Sequence, residues 1–277
     1  MRVYSPSQTT SWLRCPLKRA LEQQGWRQNH ISKRDIGAIL GQAFGAGVEH
    51  HYKRECGIVS PSQLAMAATQ SGINNLIRLG CSWLPGDDTQ ATTLPALAAK
   101  AVDKYIAHDP LPPTWTILDI QRTLPDHGNC RIDLGVRSHT GQLGVLDFKF
   151  KRNLKAEYRT RELEDYRESW QFKHYAWAYG EAMGEPVQFY GVILTCLEPR
   201  FEVIFDPVPV DPEMLTRWLT GARRVWAQME KEDAGEAEPW EAASHRDQYG
   251  RCEFFNACFL HRLHPHLMET EYVRETK

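Results

Sequence analysis

The sequence lacks a long hydrophobic run, and this absence argues against a membrane protein. No apolar stretch in its 277 residues approaches the length of about 20 residues that a helix needs to span a bilayer. The segment from Met1 to Gln8 is polar and has no apolar region typical of a signal peptide. We therefore expect a soluble, cytoplasmic protein with no membrane partner.

An excess of charge of either sign is also missing. Lysine and arginine total 33 and aspartate and glutamate total 35, so the formal net charge is −2. This balance excludes a basic coat over the whole surface, but it is compatible with a local basic groove. The seven cysteines are an odd number, and without a secretion signal we do not expect a disulfide framework.

Helix and strand patterns occupy different parts of the chain. Ser5-Pro6 has the capping side chain and the first-turn proline of a helix start, and Cys15-Pro16 predicts a break in that helix. Further helices are predicted over residues 35–54, 61–79, 94–107, 166–183 and 212–229. Strands are predicted over residues 115–120, 131–136, 143–150, 187–197 and 201–205. Residues 151–165 are predicted to be a charged loop, and residues 231–241 an acidic, flexible linker.

This order of elements predicts an α/β fold built from layers. A helical N-terminal lobe is expected over residues 1–110, and a core with the order β-β-β-α-β over residues 111–230. Residues 231–277 form the linker and a tail that contains cysteines and histidines. We find no internal repeat.

Two aspartates and a lysine are the residues with the clearest chemical meaning. Asp147 and Lys149 are two apart on one predicted strand and therefore share a face, and Asp133 lies on the preceding strand of the hairpin. Two carboxylates at one sheet edge are costly to desolvate unless a cation compensates them. Oxygen ligands favour Mg²⁺ or Mn²⁺. The simpler alternative is that these residues form only the polar face of a hairpin.

The spacing of these residues resembles the motif of a known nuclease superfamily. Asp133 followed by Asp147-Phe148-Lys149 is similar to the PD-(D/E)xK pattern. Gln171 and Tyr175 on the following helix resemble the Q-x-x-x-Y motif of the branch that contains the RecB nuclease domain and the CRISPR-associated iron–sulfur nucleases. The resemblance runs from Ser5 to Cys258.

The resemblance implies a restriction-endonuclease-like core, which is a mixed sheet flanked by helices. It also implies metal-dependent hydrolysis of DNA, with exonuclease action on single-stranded or end-exposed DNA in repair, recombination or CRISPR adaptation. The expected setting is the cytoplasm of a bacterial, archaeal or phage-infected cell, with DNA and recombination or CRISPR adaptation proteins as partners. The oligomeric state is left open.

The resemblance also assigns roles to individual residues. Asp133, Asp147 and the main-chain carbonyl of Phe148 are expected to hold Mg²⁺ or Mn²⁺. Lys149 is expected to position or activate the attacking water. Gln171 and Tyr175 are expected to orient the site or to contact the DNA backbone.

One position departs from the pattern of the branch. Its members usually carry a metal-binding histidine on the second helix, and the best alignment puts Gly45 there. Glu49 lies one turn further along the same face, and it, or a shifted histidine at His50 or His51, is the candidate for the missing ligand. The alternatives are that Glu49 belongs to a solvated helix face, or that the chain is a catalytically inactive DNA-binding or scaffold subunit.

The cysteines near the two ends of the sequence match three of four ligand positions for a 4Fe–4S cluster in this branch. They are Cys15, Cys252 and Cys258, and His245 is the candidate for the fourth ligand. The resemblance thus implies that the C-terminal tail packs back on the N-terminus. A zinc site made of the tail cysteines and the histidines that follow them is an alternative, as is a tail without metal.

Basic residues cluster directly after the candidate catalytic strand. They include Lys151, Arg152, Lys155 and Arg159. Such residues can neutralise the phosphates of a DNA strand, so they are candidate DNA-binding residues. The alternative is an ordinary solvated loop.

Overall fold

The computed structural model describes residues 2–28, 33–58, 64–78, 88–198, 200–239, 246–247, 250–251, 254 and 272–274. The helices in these ranges are α1 (Pro6–Arg14), α2 (Pro16–Gln23), α3 (Lys33–Glu55), α4 (Leu64–Arg78), α5 (Asp88–His108), α6 (Ala156–Arg167), α7 (Trp170–Met183) and α8 (Pro212–Asp233). The strands are β1 (Trp26–Gln28), β2 (Thr116–Leu124), β3 (Cys130–Arg137), β4 (Leu143–Asn153), β5 (Phe189–Glu198), β6 (Glu202–Pro209), β7 (Arg246–Asp247), β8 (Gly250–Arg251) and β9 (Tyr272–Arg274). No helix among them is long and apolar enough to cross a membrane.

The chain divides into two compact units. One contains residues 1–32, 126–129 and 216–277, and the other contains residues 33–125 and 130–215. The three-part division predicted from the sequence, with boundaries after residues 110 and 230, stays a prediction.

A five-stranded mixed sheet forms the centre of the second unit. Its strand order is β2-β3-β4-β5-β6, in which β4 and β5 are parallel and the other pairs are antiparallel. Helices α6 and α7 connect the two parallel strands, as a parallel pair requires. The predicted α/β fold and the order β-β-β-α-β are therefore confirmed.

Each face of this sheet buries a separate apolar layer. Leu146 and Phe148 of β4 belong to a core shared with α3 and α5, whereas Val145 belongs to a core shared with α7. Because side chains alternate along a strand, Asp147 and Lys149 lie on the α7 face. The apolar pattern of β4 thus decides which helix meets the two charged residues.

The charged stretch after β4 is not a loop, so that prediction was wrong. β4 continues to Asn153, and α6 follows from Ala156 to Arg167. The stretch contains no glycine or proline, and it is rich in residues such as alanine, glutamate, arginine and leucine that favour helices. The helix predicted from residue 166 begins instead at Trp170, where the Ser169 side chain accepts a hydrogen bond from the Phe172 amide.

Helix α5 also begins earlier than predicted, at Asp88 instead of residue 94. Pro95 lies inside the helix, although proline is disfavoured in helix interiors. The buried residues Ala98, Val102 and Tyr105 tie α5 into the core on the α3 side of the sheet. Tertiary packing thus outweighs the local signal of proline.

The first unit joins the N-terminal helices to α8. Ser5 caps α1, and the chain breaks at Cys15 between α1 and α2, as predicted. α8 extends to Asp233, so the linker predicted from residue 231 begins too early. Asp233 accepts hydrogen bonds from Tyr4 and, at 2.9 and 3.0 Å, from the Arg19 guanidinium. These partners make the acidic end of α8 a folded element.

Two further contacts within this unit link the N-terminal segment to the C-terminal tail. β1 pairs with β9 in an antiparallel register. Phe254 packs with Leu21 of α2 in a small apolar cluster. The predicted ligands His245, Cys252 and Cys258 lie outside the described residues, so their meeting with Cys15 stays a prediction.

Candidate active site

The two aspartates lie where β3 and β4 stop pairing. Leu134 and Leu146 are the last paired residues, and Asp133 and Asp147 come directly beyond them on the two strands. The Phe148 amide donates to Asp133 Oδ2 at 2.9 Å. A side-chain oxygen thus accepts the hydrogen bond that a backbone carbonyl of β3 would accept if the pairing continued. In an antiparallel ladder the N–H and C=O of one residue point to the same side. The Phe148 carbonyl therefore faces the β3 side of β4, as its amide does.

Asp147 is buried and is held by two neighbours. Its Oδ1 accepts from Gln171 Nε2 at 2.9 Å, and the Lys149 ammonium lies 2.5 Å from its Oδ2. The Lys149 contact is an ion pair without good hydrogen-bond geometry, and Oδ2 has no hydrogen bond among the described residues. Among the described residues, the partner of this carboxylate oxygen is thus the Lys149 ammonium.

Helix α7 supplies the amide and the phenol of the site. Gln171 and Tyr175 are one turn apart on α7, and Gln171 Nε2 lies 2.8 Å from the Tyr175 hydroxyl oxygen. Gln171 Oε1 in turn accepts from Lys149 Nζ at 3.3 Å. The structure therefore brings together five of the predicted residues, which are Asp133, Asp147, Lys149, Gln171 and Tyr175.

The electrostatics of the site favour a bound cation. Burial and the neighbouring Asp147 charge raise the pKa of Asp133 to about 7. Burial opposes the charged form of Lys149, but the attraction of Asp147 outweighs it and raises the pKa of the lysine. Burial and the nearby carboxylates also raise the pKa of Tyr175. The raised pKa of the Asp133 carboxyl shows that the positive charge around it is too small to keep it ionised in the ordinary range.

The predicted extra ligand Glu49 has a different partner. Its carboxylate lies 2.5 Å from the ammonium of Lys53 on the next turn of α3. Within the described ranges no three histidine, cysteine, aspartate or glutamate side chains form a group that could hold a metal. The role of Glu49 as a ligand stays a prediction.

The position that carries histidine in the related branch has room for a side chain. A Cβ atom added to Gly45 would meet nothing within 4 Å. Two aromatic residues of α3, one on either side of Gly45 in the sequence, contact β4. Phe44 stacks on Phe150, and Tyr52 stacks on Phe148. The position of Gly45 therefore has open space beside it, in which a larger side chain would fit.

The candidate DNA-binding residues lie on β4 and α6. Lys151 pairs with Glu162 at 2.6 Å, and Arg159 pairs with Glu202. Arg152 and Lys155 are exposed, and Lys155 stands at the N-terminal end of α6. The ion pairs reduce the positive charge that Lys151 and Arg159 can offer to a phosphate.

Sequence reasoning missed one residue of the site. Gln121 of β2 donates from Nε2 to Asp133 Oδ1 at 2.9 Å. Its φ angle is +52°, which is rare for a residue with a side chain. A single glutamine in a strand belongs to no motif, so the sequence contains no signal that could have identified it.

The candidate cluster ligand Cys15 lies in the other unit. It is the N-cap of α2, and its sulfur accepts from the Lys18 amide at 3.4 Å. The iron–sulfur and zinc predictions stay untested, because their other ligands are not among the described residues.

A comparison with family models found a match over most of the chain. A family model described as the PD-(D/E)XK nuclease superfamily matches residues 3–259. A search of curated proteins found no match.

Two solved structures resemble the chain weakly. A crystal structure from Eubacterium rectale, described as a "putative exonuclease", is 11% identical, with 95% of this chain and 89% of that chain covered and a TM-score of 0.46. The structure of SSO0001 is 14% identical, with coverages of 76% and 84% and a TM-score of 0.24. Both scores are below 0.5, so the family assignment rests on the family model alone.

Proposed function

The chain belongs to the PD-(D/E)XK nuclease superfamily, and from this premise we propose that it is a metal-dependent DNA exonuclease. Membership supports a hydrolytic nuclease with DNA as its substrate. One observation carries the proposal further. The aspartates and the lysine of the family motif meet where β3 and β4 separate, and Gln171 of the Q-x-x-x-Y motif bonds to Asp147.

The donor set of this site fits a divalent cation. Asp133 and Asp147 lie on neighbouring strands, and Asp147 Oδ2 makes no hydrogen bond within the described part of the chain. The Phe148 carbonyl faces the side of β4 on which Asp133 lies. Mg²⁺ is commonly bound through one or two carboxylates and keeps several waters. Two aspartates and one carbonyl are therefore enough to hold Mg²⁺ or Mn²⁺ without a third carboxylate.

The roles of the side chains follow from their contacts. When bound, the ion would supply positive charge to the phosphate and promote the ionisation of water. The Lys149 ammonium, with 25% of its side chain exposed, positions or activates the attacking water. Gln171 holds both Asp147 and Lys149 in place. Tyr175 keeps its phenolic proton and can donate it to a phosphate oxygen.

The finer proposal concerns the substrate. The Q-x-x-x-Y motif is a mark of the RecB-like branch, and we assign single-stranded or end-exposed DNA on that basis. Arg152 and Lys155 are exposed and follow Lys149 closely in the sequence, and they are the first candidates for contacts with the DNA backbone. A role in repair, recombination or CRISPR adaptation, and a 4Fe–4S cluster held by Cys15 and the tail, remain part of the same proposal.

A comparison of linear and circular DNA tests the exonuclease proposal. We expect end-labelled linear DNA to be degraded with Mn²⁺ or Mg²⁺, whereas circular single-stranded DNA of the same sequence persists, because hydrolysis begins at an end. EDTA should stop the reaction. Products are resolved by gel electrophoresis over time. Equal cleavage of circular DNA would show an endonuclease, and no cleavage of any substrate would favour the inactive DNA-binding subunit.

The inactive alternative has one observation in its favour, which is that Gly45 stands where the related branch carries a metal-binding histidine. If the absence of histidine at position 45 weakens metal binding, Gly45→His should lower the Mn²⁺ concentration for half-maximal activity. The expected decrease is about tenfold, a typical effect of one supporting group at a metal site. Gly45→Ala is the matched control, because both changes remove a mid-helix glycine. Titration of Mn²⁺ against cleavage rate measures the difference.

The behaviour of these two Gly45 variants distinguishes an active exonuclease from an inactive DNA-binding subunit. Cleavage by wild type that Gly45→His strengthens supports the exonuclease. Cleavage that appears only in Gly45→His supports an inactive natural subunit. Identical behaviour of Gly45→His and Gly45→Ala would remove position 45 from the metal site.

A further inference from the structure

We propose that Gln121 is a positioning residue that holds the Asp133 carboxylate ready for the metal ion. The inference rests on the proposed function, in which Asp133 is a metal ligand. Gln121 lies across from Asp133, because the pairs Ile120–Leu134 and Arg122–Ile132 flank them on β2 and β3. Its Nε2 donates to Asp133 Oδ1 at 2.9 Å.

The two oxygens of Asp133 are held separately. Gln121 donates to Oδ1 and the Phe148 amide donates to Oδ2. A carboxylate can accept about four hydrogen bonds or metal contacts, so each oxygen keeps a lone pair for an ion. Two N–H donors on different strands restrict rotation of the carboxylate and favour its ionised form, which is the form that binds metal.

The backbone of Gln121 has a strained conformation, and this conformation directs its side chain toward Asp133. Its φ of +52° lies in the left-handed region, where a Cβ atom is crowded. The other described non-glycine residues with positive φ are Asp109 and Asn129, whose residue types tolerate this region. Gln121 is thus the exception in both residue type and location, since it lies within a strand. Strain of this kind persists where surrounding contacts impose it.

Helix α7 provides those contacts. Tyr179 donates from its hydroxyl to Asp119 Oδ2 at 2.7 Å, and Arg122 donates to the same oxygen at 3.0 Å. The register of β2 shifts between Ile117 and Asp119, two residues before Gln121. β2 is therefore anchored to α7 through Asp119 before Gln121, and through Arg122 after it, which donates to Met183 Sδ at 3.4 Å.

A glycine makes this anchor possible. A Cβ atom at Gly135 would lie 1.9 Å from the Tyr179 hydroxyl oxygen, so a side chain there would displace the tyrosine. Helix α7 consequently helps to position both Asp133 and Asp147. Gln171 of α7 bonds directly to Asp147, and Tyr179 of α7 holds the segment of β2 from which Gln121 reaches Asp133.

A pair of substitutions separates the side chain from the backbone. Gln121→Ala and Gln121→Gly both remove the amide, but only glycine relieves the positive φ. We expect both variants to bind Mn²⁺ about tenfold more weakly than wild type, as is usual when a group that orients a metal ligand is lost. We expect the metal-free Gly variant to melt about 2 °C or more above the Ala variant. Thr123→Ala, an exposed change on the same strand, is the control and should alter neither value.

Mn²⁺ affinity is measured by electron paramagnetic resonance, and melting is followed by circular dichroism in EDTA. Unchanged Mn²⁺ affinity in both Gln121 variants, with wild type binding normally, would overturn the positioning role and leave the proposed function intact. Equal melting temperatures of the Ala and Gly variants would overturn the strain argument. Wild-type protein that binds no Mn²⁺ would overturn the proposed function and this inference together.

Discussion

Replacing Asp147 with asparagine is expected to lower the rate of DNA hydrolysis by about 10³-fold or more while the protein stays folded. Asparagine keeps an oxygen that can accept from Gln171, but it removes the negative charge that would hold the metal ion. Lys149 loses its ion-pair partner. Its side chain is 25% exposed, so water can solvate the ammonium and the fold survives.

The measurement is single-turnover cleavage of labelled linear DNA at saturating Mn²⁺. Asp103→Asn is the matched control, because Asp103 is an exposed aspartate on α5 and the change removes the same charge. Folding is checked by circular dichroism and thermal melting. Cleavage by Asp147→Asn at the wild-type rate would show that the active site lies elsewhere.

Replacing Asp133 with asparagine is expected to abolish cleavage and also to stabilise the metal-free protein at pH 8. The pKa of Asp133 is about 7 in the folded protein, above the ordinary value of 3.8. The folded state therefore holds a proton that the unfolded state releases between about pH 4 and 7. Stability falls as pH rises through this window and stays low above it. The loss is on the order of a few kcal/mol.

Asparagine removes this cost because it carries no charge. Its oxygen can accept from the Phe148 amide, and its NH₂ group can donate to Gln121 Oε1 if the Gln121 amide turns over. Gln121 Oε1 is buried and makes no hydrogen bond among the residues that the structure describes, so it is a ready acceptor.

Urea unfolding in EDTA at pH 5 and pH 8 measures the effect. Wild type should lose stability between the two values, whereas Asp133→Asn should change much less. Added Mn²⁺ should restore the stability of wild type only, since a ligand that binds the native state stabilises it. An equal pH dependence of the two proteins would show that Asp133 titrates normally.

Local patterns in the sequence were enough to predict most of the sheet. The alternation around Ile132 and Leu146 predicts β3 and β4, and the turn between them predicts their pairing. The same alternation puts Asp147 and Lys149 on one face, and the spacing of Gln171 and Tyr175 puts them on one side of α7. These relations depend on residues a few positions apart, so they are visible in one sequence.

The errors came from segments whose structure depends on distant partners. The stretch after β4 was predicted to be a loop because it is charged, but Arg159 and Glu202 pair across the fold and α6 forms. The acidic end of α8 was predicted to be a linker, but Arg19 compensates Asp233 from more than two hundred residues away. Composition alone does not reveal which charges will find partners.

The sequence by itself therefore determined the superfamily, the α/β core and the motif residues that meet at the end of β3 and β4. Only the tertiary structure decided how the Asp133 carboxylate is held. Gln121 has no motif, and it reaches Asp133 because α7 anchors a shifted strand through Tyr179 and Asp119. A positive φ at glutamine is unfavourable locally, so contacts from elsewhere in the fold must impose it.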